Sequence, residues 1–168
     1  MSELENNMAF EKSVQRKVAE IINQNSMHIV EIGLADAQDD LKHSTDFKVR
    51  VTRGDIAVRV RRHSCHGASA RDLTIRAVCG NAKTEIHKIR DGYADWYLYA
   101  WEDEYGELSE WILVDIRRMR NTGLLYQDRH VIMNRDGYTG FIPYTKKELR
   151  KYECIIAECP CVAKQMCF

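Results

Sequence analysis

A mixed sheet with helices packed on it, an α/β or α+β domain, is the architecture this sequence predicts. Three observations carry that expectation. Residues 8–24 have helical periodicity, residues 45–62 alternate like a strand pair, and helix and strand signals then interleave to the C-terminus. No internal repeat, low-complexity tract or proline-rich linker divides the 168 residues, so one domain is expected, with a core over residues 9–116 and an extension over 117–168.

In residues 8–24, MAFEKSVQRKVAEIINQ, the side chains Phe10, Val14, Val18 and Ile21 fall on one stripe and Ile22 widens it. Glu11, Lys12, Arg16 and Lys17 point outward, and Asn23 and Asn25 supply a stop. Glu20 lies beside the apolar stripe, either as a solvated flank or as a half-buried acid aimed at something. Residues 28–34 form a short strand and residues 35–40 a polar, acidic connection.

Residues 45–62, TDFKVRVTRGDIAVRVRR, organise the rest of the chain. Val49, Val51, Ile56, Val58 and Val60 recur at period two, and Lys48, Arg50, Arg59 and Arg61 alternate with them. One face is therefore apolar and the other basic. Arg53-Gly54-Asp55 is the breaker, with Gly54 free to take a positive φ. Residues 63–70 are small and polar, hence a loop. Residues 71–78, RDLTIRAV, alternate again and predict a third strand beside the hairpin, bringing Arg76 to the polar face.

Residues 82–90 read as a short helix capped by Thr84 or Asn81 and stopped at Asp91-Gly92. ADWYLYAW (94–101) is a buried aromatic strand, residues 102–107 an acidic turn around Gly106, and residues 108–116 a returning strand. Asp-Gly and Thr-Gly signals flank a short strand within 134–142. A last helix is expected over 145–159, opened by a Thr145/Glu148 capping box and ended by Pro160.

The 25 basic and 25 acidic residues cancel, which excludes a uniformly basic coat. They are segregated, however. Bases gather in 48–62 and 117–120; acids gather at the start, in 36–40 and in 102–110. No apolar run is long enough to span a membrane, and MSELENNMAF lacks a signal-peptide pattern, so a cytoplasmic protein with no membrane partner is expected. Four of the six cysteines crowd into the last fifteen residues, which suits neither a secreted disulfide framework nor the paired spacing of a zinc finger. They read as incidental thiols of a reducing compartment. His63-Ser64-Cys65-His66 adds two histidines and a thiol in one loop.

The first helix, the hairpin opening with an acid, the basic second arm, and a following helix then an aromatic strand resemble the restriction-endonuclease-like fold of the PD-(D/E)XK nucleases. The resemblance covers residues 9–116 in order and spacing. It implies a helix acid, an Asp at the start of one strand and an acid-x-Lys on the next, together holding one or two magnesium ions and an attacking water. Asp46 in Ser44-Thr45-Asp46 matches the strand Asp, and Glu20 or Glu11 the helix acid. The second arm departs from the pattern, since residues 56–62 contain no acid, only Arg59, Arg61 and Arg62. Magnesium requires carboxylate oxygens and arginine cannot replace them. Either another acid has moved in, with Asp72, Asp55 and Glu85 as candidates, or the site is catalytically silent.

Two readings follow. As a magnesium-dependent phosphodiesterase, phage-like in its small size, the chain would hold metal with Asp46, Glu20 and Asp72 and steady a phosphate with Arg59 or Arg61. As a non-catalytic binding module of the same fold, it would engage a protein partner, or nucleic acid through Lys48, Arg50, Arg59, Arg61, Arg62 and Arg76, since guanidinium donors fit phosphate oxygens. A third reading is a protein partner's inhibitor whose acidic stretches, 36–40 and 102–110, mimic a phosphate backbone.

Overall fold

The computed structural model describes residues 3–25, 29–34, 47–51, 54–62, 72–80 and 82–159. In chain order they form α1 (Glu3–Gln24), β1 (Ile29–Leu34), β2 (Phe47–Val51), β3 (Gly54–Arg61), β4 (Leu73–Cys79), α2 (Glu85–Arg90), β5 (Trp96–Trp101) and β6 (Glu110–Asp115). There follow α3 (Ile116–Asn121), a 3-10 turn (Leu124–Tyr126), β7 (Ile132–Met133), β8 (Thr139–Tyr144), α4 (Lys146–Lys151) and β9 (Ile155–Glu158).

Six strands make a mixed sheet in the order β1-β2-β3-β5-β6-β9, and β4-β8-β7 make a second. β2 and β3 are the antiparallel hairpin read from the sequence, with Val49 opposite Ile56 and Phe47 opposite Val58. β3 and β5 run parallel, from Ile56 opposite Trp96 to Arg61 opposite Trp101. A parallel pair needs a crossover, and β4 with α2 supplies it.

The large sheet has a separate apolar cluster on each face. On one, Val14, Val18, Ile21 and Ile22 of α1 pack on Val49, Val51, Ile56, Val58 and Val60. On the other, Ala57, Tyr97, Tyr99 and Trp101 meet Leu73, Ile75, Ile86, Ile89, Ile142 and Tyr144 from the second layer. All six residues of β5 are buried, as a strand covered on both faces requires.

β4 does not lie beside the hairpin as its alternation suggested. β5 takes the edge of β3 instead, because a strand buried along its whole length belongs at the centre of the sheet. β4, with Leu73 and Ile75 buried but Thr74 and Arg76 only partly so, suits an outer layer. The C-terminal helix is shorter than expected. It ends at Lys151, and residues 155–158 pair with β6 as an edge strand. The stop is a Schellman motif in which Cys154 N–H donates to Leu149 O (2.8 Å) and Glu153 N–H to Arg150 O (2.9 Å). Glu153 takes the left-handed conformation there, φ 52°, that glycine usually supplies.

Gly54 is the first paired residue of β3, opposite Val51, at φ 149°. A Cβ there would sit 2.8 Å from Asp95 Cγ and 2.9 Å from Trp96 Cζ3. Glycine lets the Asp95 carboxylate approach and accept the Asp55 N–H at 3.1 Å, joining the hairpin to the start of β5.

Candidate functional site

The period-two pattern divides the hairpin as read. Its valines and Ile56 face α1, while Ala57 and Arg59 face the second layer. That second face is not an open basic surface. Ala57 is buried and the Arg59 side chain is only 15% exposed, whereas Arg50 on the next strand is 58% exposed. Among the described residues the covering layer therefore reaches β3 at Arg59, and Arg50 on β2 is the more exposed of the two arginines.

Glu85 sits between the covering layer and β3. It is the first residue of α2 and is 2% exposed. Burying a carboxylate costs several kcal/mol, on the order of an unpaired ion's effective penalty, unless donors surround it. Three do. The Tyr97 hydroxyl donates to Oε1, Arg76 N–H to Oε2 at 2.8 Å, and Arg59 Nη1 to Oε2 at 3.4 Å. The network ties together α2, the hairpin, β4 and the centre of the sheet. Burial, reinforced by the Glu85 charge, holds the Tyr97 hydroxyl well above its usual pKa, so it stays a donor. Thr84 Oγ1 donates to Ala77 O (3.1 Å) and fixes the start of α2 on β4. On the adjacent strand position Thr74 Oγ1 and Tyr99 Oη are hydrogen-bonded at 2.7 Å.

The predicted residues are distributed around this network. Asp46 and the side chains of Lys48 and Glu11 lie outside the described residues, as does the His63–His66 loop. Arg50 is 3.6 Å from Asp55, its partner across the hairpin. Arg61 is half-buried on the same strand as Arg59. Arg62 leaves the basic set, because its guanidinium stacks 4.2 Å from the centroid of the Phe10 ring of α1. Arg76 belongs to the second sheet and joins the site through its backbone.

Of the expected metal ligands, the two that are described, Glu20 and Asp72, do not converge. Glu20 is 58% exposed on α1, paired with Arg16 at 3.1 Å, and α1 covers the sheet face opposite Arg59. Asp72 adjoins β4 in the other layer, where burial raises its pKa and the Lys146 charge partly offsets this. Asp55 faces Arg50, and all of Glu85's neighbours named above are donors. Among the described residues no three His, Cys, Asp or Glu side chains form a group able to hold a metal. Glu20, Asp55 and Glu85 are each paired with an arginine and so do not together offer the oxygen ligands that magnesium takes. Cys154 is buried, and burial pushes its thiol up to about 11, away from the thiolate a metal binds.

Three acids of residues 102–110 serve the fold. Asp103 accepts the N–H groups of Tyr105 and Glu107, both at 2.9 Å; Glu107 pairs with Lys17 and Glu110 with Lys146. Burial of Glu85 was the feature sequence reasoning passed over, although the signal is there. Glu85, Ile86 and Ile89 share one stripe of α2, so the acid points where the isoleucines point.

No family model, curated protein or solved structure matches this chain. Among the described residues no helix is long and apolar enough to cross a membrane.

Proposed function

We propose that this chain is a nuclease-like-fold protein that binds nucleic acid without hydrolysing it at the hairpin. The order of elements supports the fold reading: a long helix, three antiparallel strands, then a helix and a strand parallel to the third. One observation carries the non-catalytic reading. Where the resemblance calls for acid-x-Lys, the strand presents Ala57 and Arg59, and Arg59 is locked to a buried carboxylate already supplied with donors. Arg59 is then a strut. Contact with phosphates falls to the cation beyond the covered strand, Arg50, with Lys48 on the same arm of the hairpin.

The test uses the full chain with labelled single-stranded and duplex oligonucleotides, titrated with salt in magnesium and in chelator. Binding should weaken steeply with salt, be indifferent to magnesium, and be accompanied by no cleavage. Cleavage in magnesium or manganese that Asp46→Ala abolishes would establish the phosphodiesterase instead. Failure to bind at low salt removes the nucleic-acid reading altogether.

A further inference from the structure

The β7–β8 hairpin of the second layer closes on a hydrogen-bonded turn that presents an aromatic ring to solvent. Its loop is Arg135-Asp136-Gly137-Tyr138. Asp136 Oδ1 accepts the N–H groups of Tyr138 and Thr139, both at 2.9 Å, and Oδ2 accepts the Thr139 hydroxyl at 2.6 Å. Gly137 takes φ 70° and donates to Asn134 O at 3.1 Å. Asn134 closes the turn twice, through its N–H to Thr139 O (2.8 Å) and its Nδ2 to Thr139 Oγ1 (2.7 Å). Gly80 N–H donates to Tyr138 O at 3.2 Å and anchors the tip to the end of β4. These bonds hold the backbone, yet the Tyr138 side chain remains 76% exposed. With its backbone held in this way, a tyrosine has only its two side-chain torsions to fix on meeting a flat partner.

The surroundings select that partner. Arg135 is exposed and has no ion pair among the described residues. Asp136, the one acid of the loop, has both oxygens occupied by the turn and lies below its usual pKa, held there chiefly by Thr139 and also by the charge of Arg76. Arg76 in turn donates its N–H to Glu85, the carboxylate that holds Arg59. The tip therefore ends a path that begins at Arg59 of β3 and passes through β4.

We infer that Tyr138 is a stacking platform for an unpaired nucleobase, with Arg135 taking the adjoining phosphate. The inference rests on the nucleic-acid reading above and specifies its substrate as single-stranded. An aromatic face accepts any base, so the contact adds affinity with little sequence preference.

Fluorescence anisotropy of the full chain with a labelled oligo-dT strand tests this against the same length of duplex. Tyr138→Ala should weaken single-strand binding roughly fivefold to 100-fold, the range for loss of one stacked base, while Tyr138→Phe retains it. Arg135→Ala should lower the salt slope by about one phosphate contact. The ring is exposed, so unchanged thermal unfolding of the variants excludes misfolding as the cause. If the wild type binds oligo-dT and Tyr138→Ala binds equally well, the stacking inference fails while the nucleic-acid reading stands. Stronger binding to duplex than to oligo-dT overturns it too. If the wild type binds neither probe at low salt, both fail, and the tip is left to contact a protein.

Discussion

Truncating Glu85 should be among the most destabilising single changes in the chain. Glu85→Ala removes the acceptor from the Tyr97 hydroxyl, the Arg76 N–H and the Arg59 guanidinium together. Tyr97 is buried and Arg59 nearly so, so water replaces the lost acceptor poorly. Leaving a buried donor unmatched costs about 1–3 kcal/mol, and breaking a buried ion pair from one side about 3–5 kcal/mol. The terms overlap and Arg59 retains some solvent, which puts the expected loss at about 4 kcal/mol. For a chain of this size that lowers Tm by roughly 8–16 °C. Glu85→Gln keeps an acceptor of the same shape and should cost about half as much. Arg59→Met removes the charge but leaves Glu85 its two neutral donors, so the cycle Glu85→Gln, Arg59→Met and the double variant isolates the pair. Thermal and urea unfolding followed by circular dichroism reads all four proteins. The same Arg59→Met protein should keep the salt slope of nucleic-acid binding, whereas Arg50→Ala should lower it by about one contact. A Glu85→Ala protein within about 0.5 kcal/mol of wild type, the range of an ordinary surface change, would refute the network. So would a salt slope that follows Arg59 and ignores Arg50.

Three further outcomes follow from particular residues. Gly54→Ala forces a Cβ against Asp95 and Trp96 at a φ suited to glycine, so stability should fall by about 2–4 kcal/mol, read as a lower urea midpoint with an unchanged m-value. Stability should also decline as pH rises from 9 towards 11. The buried Cys154 thiol keeps its proton up to about 11 while the unfolded chain releases it near 9, so deprotonation favours the unfolded state by on the order of 2 kcal/mol at the upper end. Tyr97 and Tyr144, whose pKa values burial also raises, extend the decline above pH 10, and Cys154→Ala should flatten its first part. Finally, Glu153→Gly relieves a left-handed backbone at the cost of an exposed ion pair with Arg118, so Tm should rise by roughly 1–3 °C.

The elements legible in the sequence were those whose own periodicity fixes their surroundings. The stripe of Val14, Val18, Ile21 and Ile22 requires an apolar face, and the valines of the hairpin provide one. Asp91-Gly92 stops α2 as its residues imply, with Gly92 at φ 102° and Tyr93 N–H returning to Lys88 O at 3.0 Å. The stop of α4 carried no such mark, because Glu153 occupies the glycine position, and the helical pattern ran on in the reading through residues that form β9. There the deciding force is tertiary: Leu149 and Cys154 must both reach the core, and Cys154 O must accept the Asp115 N–H at 2.8 Å.

The same distinction explains why the basic face was only half legible. Alternation states which side chains share a side of a strand, and Ala57 and Arg59 do face away from α1. It is silent on what lies above them. The cover comes from β4 and α2, the segment between the hairpin and its parallel neighbour, and a right-twisted parallel crossover must pass over one face of the sheet. A parallel partner for β3 therefore implies that one side of the hairpin will be roofed, and a charged residue under a roof needs a counter-charge carried by the roof itself. Glu85, at the head of the crossover helix and on the stripe of Ile86 and Ile89, meets that requirement. Arg59 on β3 is thereby assigned to the scaffold, and Arg50 on β2 is left as the exposed cation that the proposed phosphate contact requires.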